Sequence, residues 1–391
     1  MEIHSSALPV SDARATAPPA SLATALGMLV RDLLGSSVRR ARGPRRAAGM
    51  PRNTDYAALK ALVKERGLLE RQPAYYAGIM VMNAAVVAAG VAWVAHTRAT
   101  AWVWLAALPL AFAAGQITLL GHEAAHRAVF RGARANDALA MVCINLMSGG
   151  NHRWWRGSHD EHHARSNDPE RDPDIDYPVL AFSEAQAENK PAVFRPLLGR
   201  QHWLFPFLMC FVGLSLRAYS LADFARRGGR RLDLAACAAF YLVYPSLVVA
   251  ALGAFRGILF MALHQALFGL YLGSVTSVNH WGMPMPEAGH GLDYLRHQSV
   301  TSRNLRSGVL GDVWFAGLNR QIEHHLFPTM ARNKLAEARP VVRAFCEARG
   351  IAYHEVSILG GYHEMFSTMR RVARAVRARS TSPERRESHP C

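Results

Sequence analysis

The sequence predicts an all-α integral membrane protein, with four transmembrane helices in two hairpins and a cytoplasmic helical cap. Half of its 391 residues are hydrophobic, and several of these fall in runs that approach the roughly 20 apolar residues a bilayer-spanning helix needs. The runs come in pairs joined by short connections. Charge and clustered histidines gather instead in the long segments between and after the pairs.

Residues 1–52 are rich in Ala, Arg, Pro and Ser, with five arginines between Ser37 and Arg46, and are expected to be disordered because they cannot bury enough apolar surface. Ser21–Leu34 is only briefly apolar and lacks a basic leader, so no cleavable signal peptide is evident and insertion would rest on the first span. Met50 offers an alternative start. The membrane domain is taken as residues 53–366 and a basic tail as 367–391.

Asp55–Gln72 has the charge and Leu/Ala periodicity of a short amphipathic helix lying before the membrane. The spans then read as Ala74–Ala95 and about Ala101–Leu120, and later as about Leu234–Leu252 and Ile258–Val278, with connections His96–Thr100 and Gly253–Gly257. Each connection carries one Arg, whereas 121–203 and 279–391 are far richer in charge, so the positive-inside rule puts those segments and both termini in the cytoplasm. Ala138–Met147 and Leu204–Leu216, at 10 and 13 residues, are too short to span and read as interfacial helices.

The formal charge of +16 does not point to nucleic acid. Residues 1–52 hold eight Arg against three acids and 370–391 seven against two, so the tails supply +10 of the excess. Basic tails beside membrane spans fit cytoplasmic segments drawn to anionic headgroups. The five cysteines, Cys143, Cys210, Cys237, Cys346 and Cys391, form no C-x-x-C pair, so neither a zinc ribbon nor a disulfide framework is indicated.

Three histidine clusters fall on the predicted cytoplasmic face. His122 and His126 stand four apart, on one face of a helix end. His159, His162 and His163 repeat the i, i+3, i+4 spacing that Gln321, His324 and His325 also show. Burying seven such rings beside a bilayer is costly unless their lone pairs are used, and neutral imidazole is a common metal ligand. Cysteine is absent from the clusters and the ligands outnumber those of one zinc. Imidazole-rich sites suit iron, copper, zinc or nickel; two irons sharing about eight nitrogens, with positions open to dioxygen, match this count best.

His-x-x-x-His, His-x-x-His-His and Gln-x-x-His-His, in this order around paired hairpins, resemble the three boxes of the membrane fatty acid desaturases. Asn279-His280-Trp281-Gly282-Met283-Pro284 is similar to that family's extra metal-binding histidine after the fourth span. Gln298–Asn304 and Gly317–Pro328 are similar to its signature through the third box, and the resemblance covers about residues 53–366.

The resemblance implies that His122, His126, His159, His162, His163, His280, His324 and His325 hold two iron ions. It places Gln321 at the edge of the metal shell, where related acyl-CoA desaturases carry a histidine; glutamine there is typical of the branch that includes front-end desaturases. Asn279 joins Gln321 beside the ligands, and Glu123, Asp160, Glu161 and Glu323 are candidates to orient imidazoles through their distal N–H. Asn167–Asp176 carries five acids but has two prolines and no Gly turn of an EF-hand, so it reads as a loop-ordering or ligand-supporting segment. His152 is a reserve ligand, and His264, 16 residues before His280, lies roughly 24 Å from it along a helix and should not reach the metals.

The implied activity is insertion of a double bond into an acyl-CoA or acyl-lipid chain lying in a tunnel among the spans, using dioxygen and two external electrons. No His-Pro-Gly-Gly haem signature occurs, so a separate ferredoxin or small cytochrome is implied as donor. The same chemistry admits a hydroxylase or ketolase. A non-catalytic metal-binding or metal-transporting membrane protein is the rival from another class, although transport calls for polar ligands along the spans. His122-Glu123-Ala124-Ala125-His126 also satisfies the H-E-x-x-H of zinc proteases, but one zinc leaves the other clusters unexplained.

Overall fold

The computed structural model describes residues 54–287 and 289–381, and among these the chain is almost wholly helical. The expectations for residues 1–52, Met50 and Cys391 lie outside the described residues. Helix α1, Thr54–Glu65, is shorter than expected and gives way to a turn before Pro73, whose missing N–H and fixed φ suit the first turn of α2, Pro73–Thr97. A 3-10 segment, Ala101–Ala106, runs directly into α3, Ala107–Ala125, which continues past Leu120 and so carries His122 on its own last turn. Later come α8, Arg231–Leu252, and α9, Ala254–Ser277, joined by Gly253 alone; its φ of 76° is a conformation that glycine adopts without strain.

Between these pairs lie α4, Ala133–Ala140, α5, His152–Ala164, α6, Gln201–Met209, and α7, Val212–Arg227. Neither expected interfacial helix is one continuous α-helix. Residues 138–147 divide between α4 and a turn of π-helix, Met141–Leu146, and 204–216 divide between α6 and α7, which bend by 71°. After α9 come α10, Tyr294–Thr301, β1, Asn304–Arg306, α11, Val309–Trp314, α12, Gln321–Leu326, α13, Arg332–Glu347, β2, Glu355–Ser357, and α14, Ile358–Thr381. The two strands pair in parallel, Asn304 opposite Glu355, so the all-α expectation is corrected to a mostly helical fold with one small ribbon. Helix α14 continues through residue 367, where the basic tail was expected to begin.

Four helical segments among the described residues are long and apolar enough to cross a membrane: Pro73–Thr97, Ala101–Ala125, Arg231–Leu252 and Ala254–Ser277. They are not equivalent. Half of the apolar window of the second and 44% of that of the fourth are buried inside the protein, against 17% and 6% for the first and third. The second and fourth therefore form the inner pair, and both lead into histidines.

Two apolar cores flank the third histidine cluster. Helix α12 is only six residues long, too short to persist alone. It is held because Ile322 and Leu326 are buried with Leu59 and Val63 of α1 and with Leu335 and Val342 of α13. On the other side Phe268, Tyr271 and Leu272 of α9 pack with Phe205 and Met209 of α6 and with Met365 and Met369 of α14.

The approach of α9 to the α6–α7 bend is set by Gly269, where a Cβ would stand 2.4 Å from the Cys210 carbonyl oxygen. A backbone atom cannot swing aside. Gly269→Val is expected to cost about 1–3 kcal/mol or more by overpacking and to lower the thermal unfolding midpoint in detergent. Gly78→Ala on α2, with nothing within 4 Å of the new methyl, should leave the midpoint nearly unchanged.

Candidate metal centre

The eight histidines singled out by the sequence converge. His122 sits on the last turn of α3, and His126 closes it as C-cap. Helix α5 starts at Asn151, whose side chain accepts the N–H groups of Arg153 and Trp154 at 3.1 and 3.3 Å, and it presents His159, His162 and His163 near its end. His324 and His325 come from α12, and His280 follows shortly after α9. His122, His126, His159, His163 and His324 each bring a ring nitrogen within 4.8 Å of the others, and His162, His280 and His325 form a second such group. The groups touch where His163 stacks on His325, ring centroids 4.1 Å apart.

Several of these rings are fixed by one nitrogen. His162 Nδ1–H donates to the Asp172 carboxylate at 2.9 and 3.0 Å, His280 Nδ1–H to the Thr301 carbonyl at 2.9 Å, and His325 Nδ1–H to Gln298 Oε1 at 2.8 Å. Gln298 Nε2 in turn donates to the His163 carbonyl at 2.8 Å. Such partners fix the ring plane and, in the neutral ring, leave Nε2 as the lone-pair donor.

Four ring nitrogens of the cluster are unsatisfied. His126 Nε2, His163 Nδ1, His324 Nε2 and His325 Nε2 are buried and have no hydrogen-bond partner among the described residues. Unpaired buried polar atoms are expensive, and the cost is recovered if each lone pair meets a cation. Burial first, and neighbouring imidazoles second, hold His163, His324 and His325 well below the usual 6.5, and the same causes push His280 down to about 3. These rings are neutral, the form that ligates. His162 differs: burial opposes its charge, but Asp172 and Asp174 prevail and lift it to about 9. The donor set, all imidazole and in two adjoining groups, fits a pair of metal ions.

The acids within the histidine motifs do not face imidazoles. Glu123 is bound through both oxygens by Arg332, at 2.9 Å each; Arg332 Nη1 also donates to Gln116 Oε1 at 3.2 Å, and its backbone N–H to the Tyr76 hydroxyl at 3.1 Å. Glu323 accepts from Asn304 Nδ2 at 2.7 Å and from the Tyr353 hydroxyl at 2.8 Å, and burial pushes it up to about 7 against those bonds. Asp160 is exposed, and Glu161 pairs with Arg165. In the arrangement seen, imidazoles are met instead by Asp172, the Thr301 carbonyl and Gln298. Asp172 also orders its loop by accepting the N–H groups of Asn167 and Asp174 at 2.7 and 2.9 Å.

Gln321 lies at the rim, its Nε2 donating to His280 Nε2 at 2.9 Å while its Oε1 accepts from Asn279 Nδ2 at 3.2 Å. His152 bonds Asn145 Oδ1 at 3.0 Å and belongs to neither histidine group. His264 bonds the Tyr244 hydroxyl at 2.9 Å and also stands apart. Gln298 and Thr301 were missed as individual residues because an amide and a backbone carbonyl leave no mark in histidine spacing.

Comparison with known proteins gives a consistent picture. The fatty acid desaturase family profile matches residues 99–357. An acyl-lipid (9-3)-desaturase of Physcomitrium patens is 29% identical over 334 residues, 82% of this chain and 63% of the moss protein. Fatty acid desaturase 3 of Bos taurus is 29% identical over 320 residues, 78% of this chain and 70% of its own. A delta 8-(E)-sphingolipid desaturase of Kluyveromyces lactis is 26% identical over 298 residues, 70% of this chain and 51% of the yeast protein. This chain thus spans less than two thirds of the moss and yeast relatives.

Two substitutions probe the centre. Asp172→Ala frees His162 Nδ1 and is expected to lower metal affinity about 10–100-fold, read as metal lost on dialysis against a graded chelator series. Arg332→Met strands the Glu123 carboxylate and is expected to destabilise the protein by about 3–5 kcal/mol, whereas Glu123→Gln with Arg332→Met should recover part of that loss. Thermal unfolding of the single and double variants measures the difference.

Proposed function

Because the chain belongs to the fatty acid desaturase family, we propose that it inserts a double bond into a fatty acyl chain, using dioxygen and two external electrons at a histidine-held pair of irons. The observation that carries this is the meeting of eight imidazoles in two adjoining groups at the ends of the inner spans. His122, His126, His159, His163 and His324 would hold one ion, and His162, His280 and His325 the other, with Gln321 and Asn279 beside the second. Iron bound there supplies the dioxygen chemistry that takes hydrogen from an unactivated methylene.

The protein supplies position and dryness. Asp172, Gln298 and the Thr301 carbonyl hold the Nδ1 protons of their imidazoles outward, so that Nε2 points inward. The rings are buried, which keeps bulk water from the reacting carbon. Acyl methylenes are chemically alike, so bond position is selected by how far the chain reaches into a tunnel among the spans. The carrier is CoA or a membrane lipid.

In this proposal the spans form two hairpins, and the helices around the histidines form a cap on the cytoplasmic side, with both termini. The charge asymmetry of the connecting segments supports that orientation. One connection is braced: Arg256 donates to the carbonyls of Arg98 and Thr100 at 2.6 and 2.8 Å. The electron donor is a ferredoxin or small cytochrome, and a basic face suits an acidic carrier.

Lipid analysis of a host expressing the chain tests the reaction. A new double bond is the expected product, and a hydroxylated or oxo chain would select oxygen insertion instead. Purified protein should hold about two irons per chain, the number these imidazoles suit; zinc alone at about one per chain would overturn the di-iron reading. His162→Ala and His324→Ala should each abolish the product while leaving membrane insertion intact.

A further inference from the structure

Helix α11 is inverted relative to a helix that faces water. Val309, Leu310, Val313 and Trp314 are exposed by 78%, 87%, 39% and 44%, and their spacing sets them on one face. The one charge of the helix is paired, with its side chain 34% exposed. Asp312 Oδ1 accepts from Ser307 Oγ at 3.1 Å and from Asn319 Nδ2 at 2.8 Å, and its Oδ2 accepts from Arg320 Nη2 at 2.9 Å. The start of α14 lies alongside, since a Cβ on Gly311 would meet the Ile358 side chain at 3.5 Å, and the next residue, Leu359, is 81% exposed.

The depth of this apolar face follows from what holds the helix. Its last carbonyls are satisfied by the inner spans: Gln116 Nε2 of α3 donates to the Val313 carbonyl at 2.7 Å, and the Tyr271 hydroxyl of α9 to the Trp314 carbonyl at 2.6 Å. The Trp314 ring stacks with Phe112 of α3 at 6.0 Å and meets Tyr271 edge-on at 5.0 Å. Gln116 precedes His122 by six residues, a rise of about 9 Å along α3, so α11 ends against a part of that helix on the membrane side of the first histidine pair. Open carbonyls at a helix end are not tolerated in hydrocarbon. Donors reaching out from the two inner spans are what such a placement requires.

We infer that residues 308–314, with Leu359, are seated in the hydrocarbon of the leaflet on the histidine side, and that lipid acyl chains are the partner of this face. The segment is then a membrane-embedded element, shorter than a span, inserted in the chain just ahead of the third histidine cluster. This rests on the four helices crossing a bilayer and not on the chemistry of the metal centre.

The test is the depth of residue 310 in the full-length protein reconstituted into phosphatidylcholine bilayers. Leu310→Cys is given a nitroxide label in a background with Cys210 and Cys391 replaced by serine, and its collisions with oxygen and with a water-soluble nickel chelate are compared. Oxygen collisions severalfold above those with the chelate are expected, as at a Leu242→Cys control on exposed α8. Collisions dominated by the chelate, as at Glu337→Cys on α13, or equal for the two quenchers, would overturn the placement. The readout needs neither metal nor turnover, so an aqueous result would leave the proposed reaction standing.

Discussion

Eight imidazoles share a dry chamber only if each has somewhere to put its proton and something to do with its lone pair. That requirement organises the structure around the centre. Asp172 comes from the loop after α5, Thr301 and Gln298 from α10, and each accepts an Nδ1–H hydrogen bond from a ring on a different element. The inner spans must also end level with one another, because His122 leaves α3 and His280 follows α9. Tyr271 packs against Gly115 closely enough that a Cβ there would stand 2.2 Å from its ring, so the two helices meet at a defined height. Membrane packing and metal geometry are thus one problem.

Much of this was legible in the sequence because it is periodic. Spans appear as apolar runs, and i, i+3, i+4 histidines share a helix face whatever the rest of the fold does. Boundaries moved by a few residues where a local feature intervened: α3 runs on through its histidines, and α8 begins at Arg231 because Asp233, which looks too polar for a span, is buried against Arg153 at 2.7 Å. His280 was reached by resemblance alone, since a single histidine after a span has no spacing to mark it. The strands were illegible at three residues each, and the 71° bend between α6 and α7 could not be read from one apolar run.

The acids mark the limit of reading by motif. Glu123 completes H-E-x-x-H, and the motif alone offers it as a candidate to orient an imidazole. What decides is Arg332, far along the chain, which takes both carboxylate oxygens. A carboxylate so held is not free to serve as the base a zinc protease needs. Its partner belongs to a longer chain of contacts, because Arg332 also bonds Gln116, and Gln116 bonds the Tyr271 hydroxyl at 2.7 Å. The same five-residue motif therefore ties the first histidine pair to α13 and to both inner spans. Its glutamate acts on the histidines through the helix that carries them, which no spacing rule encodes.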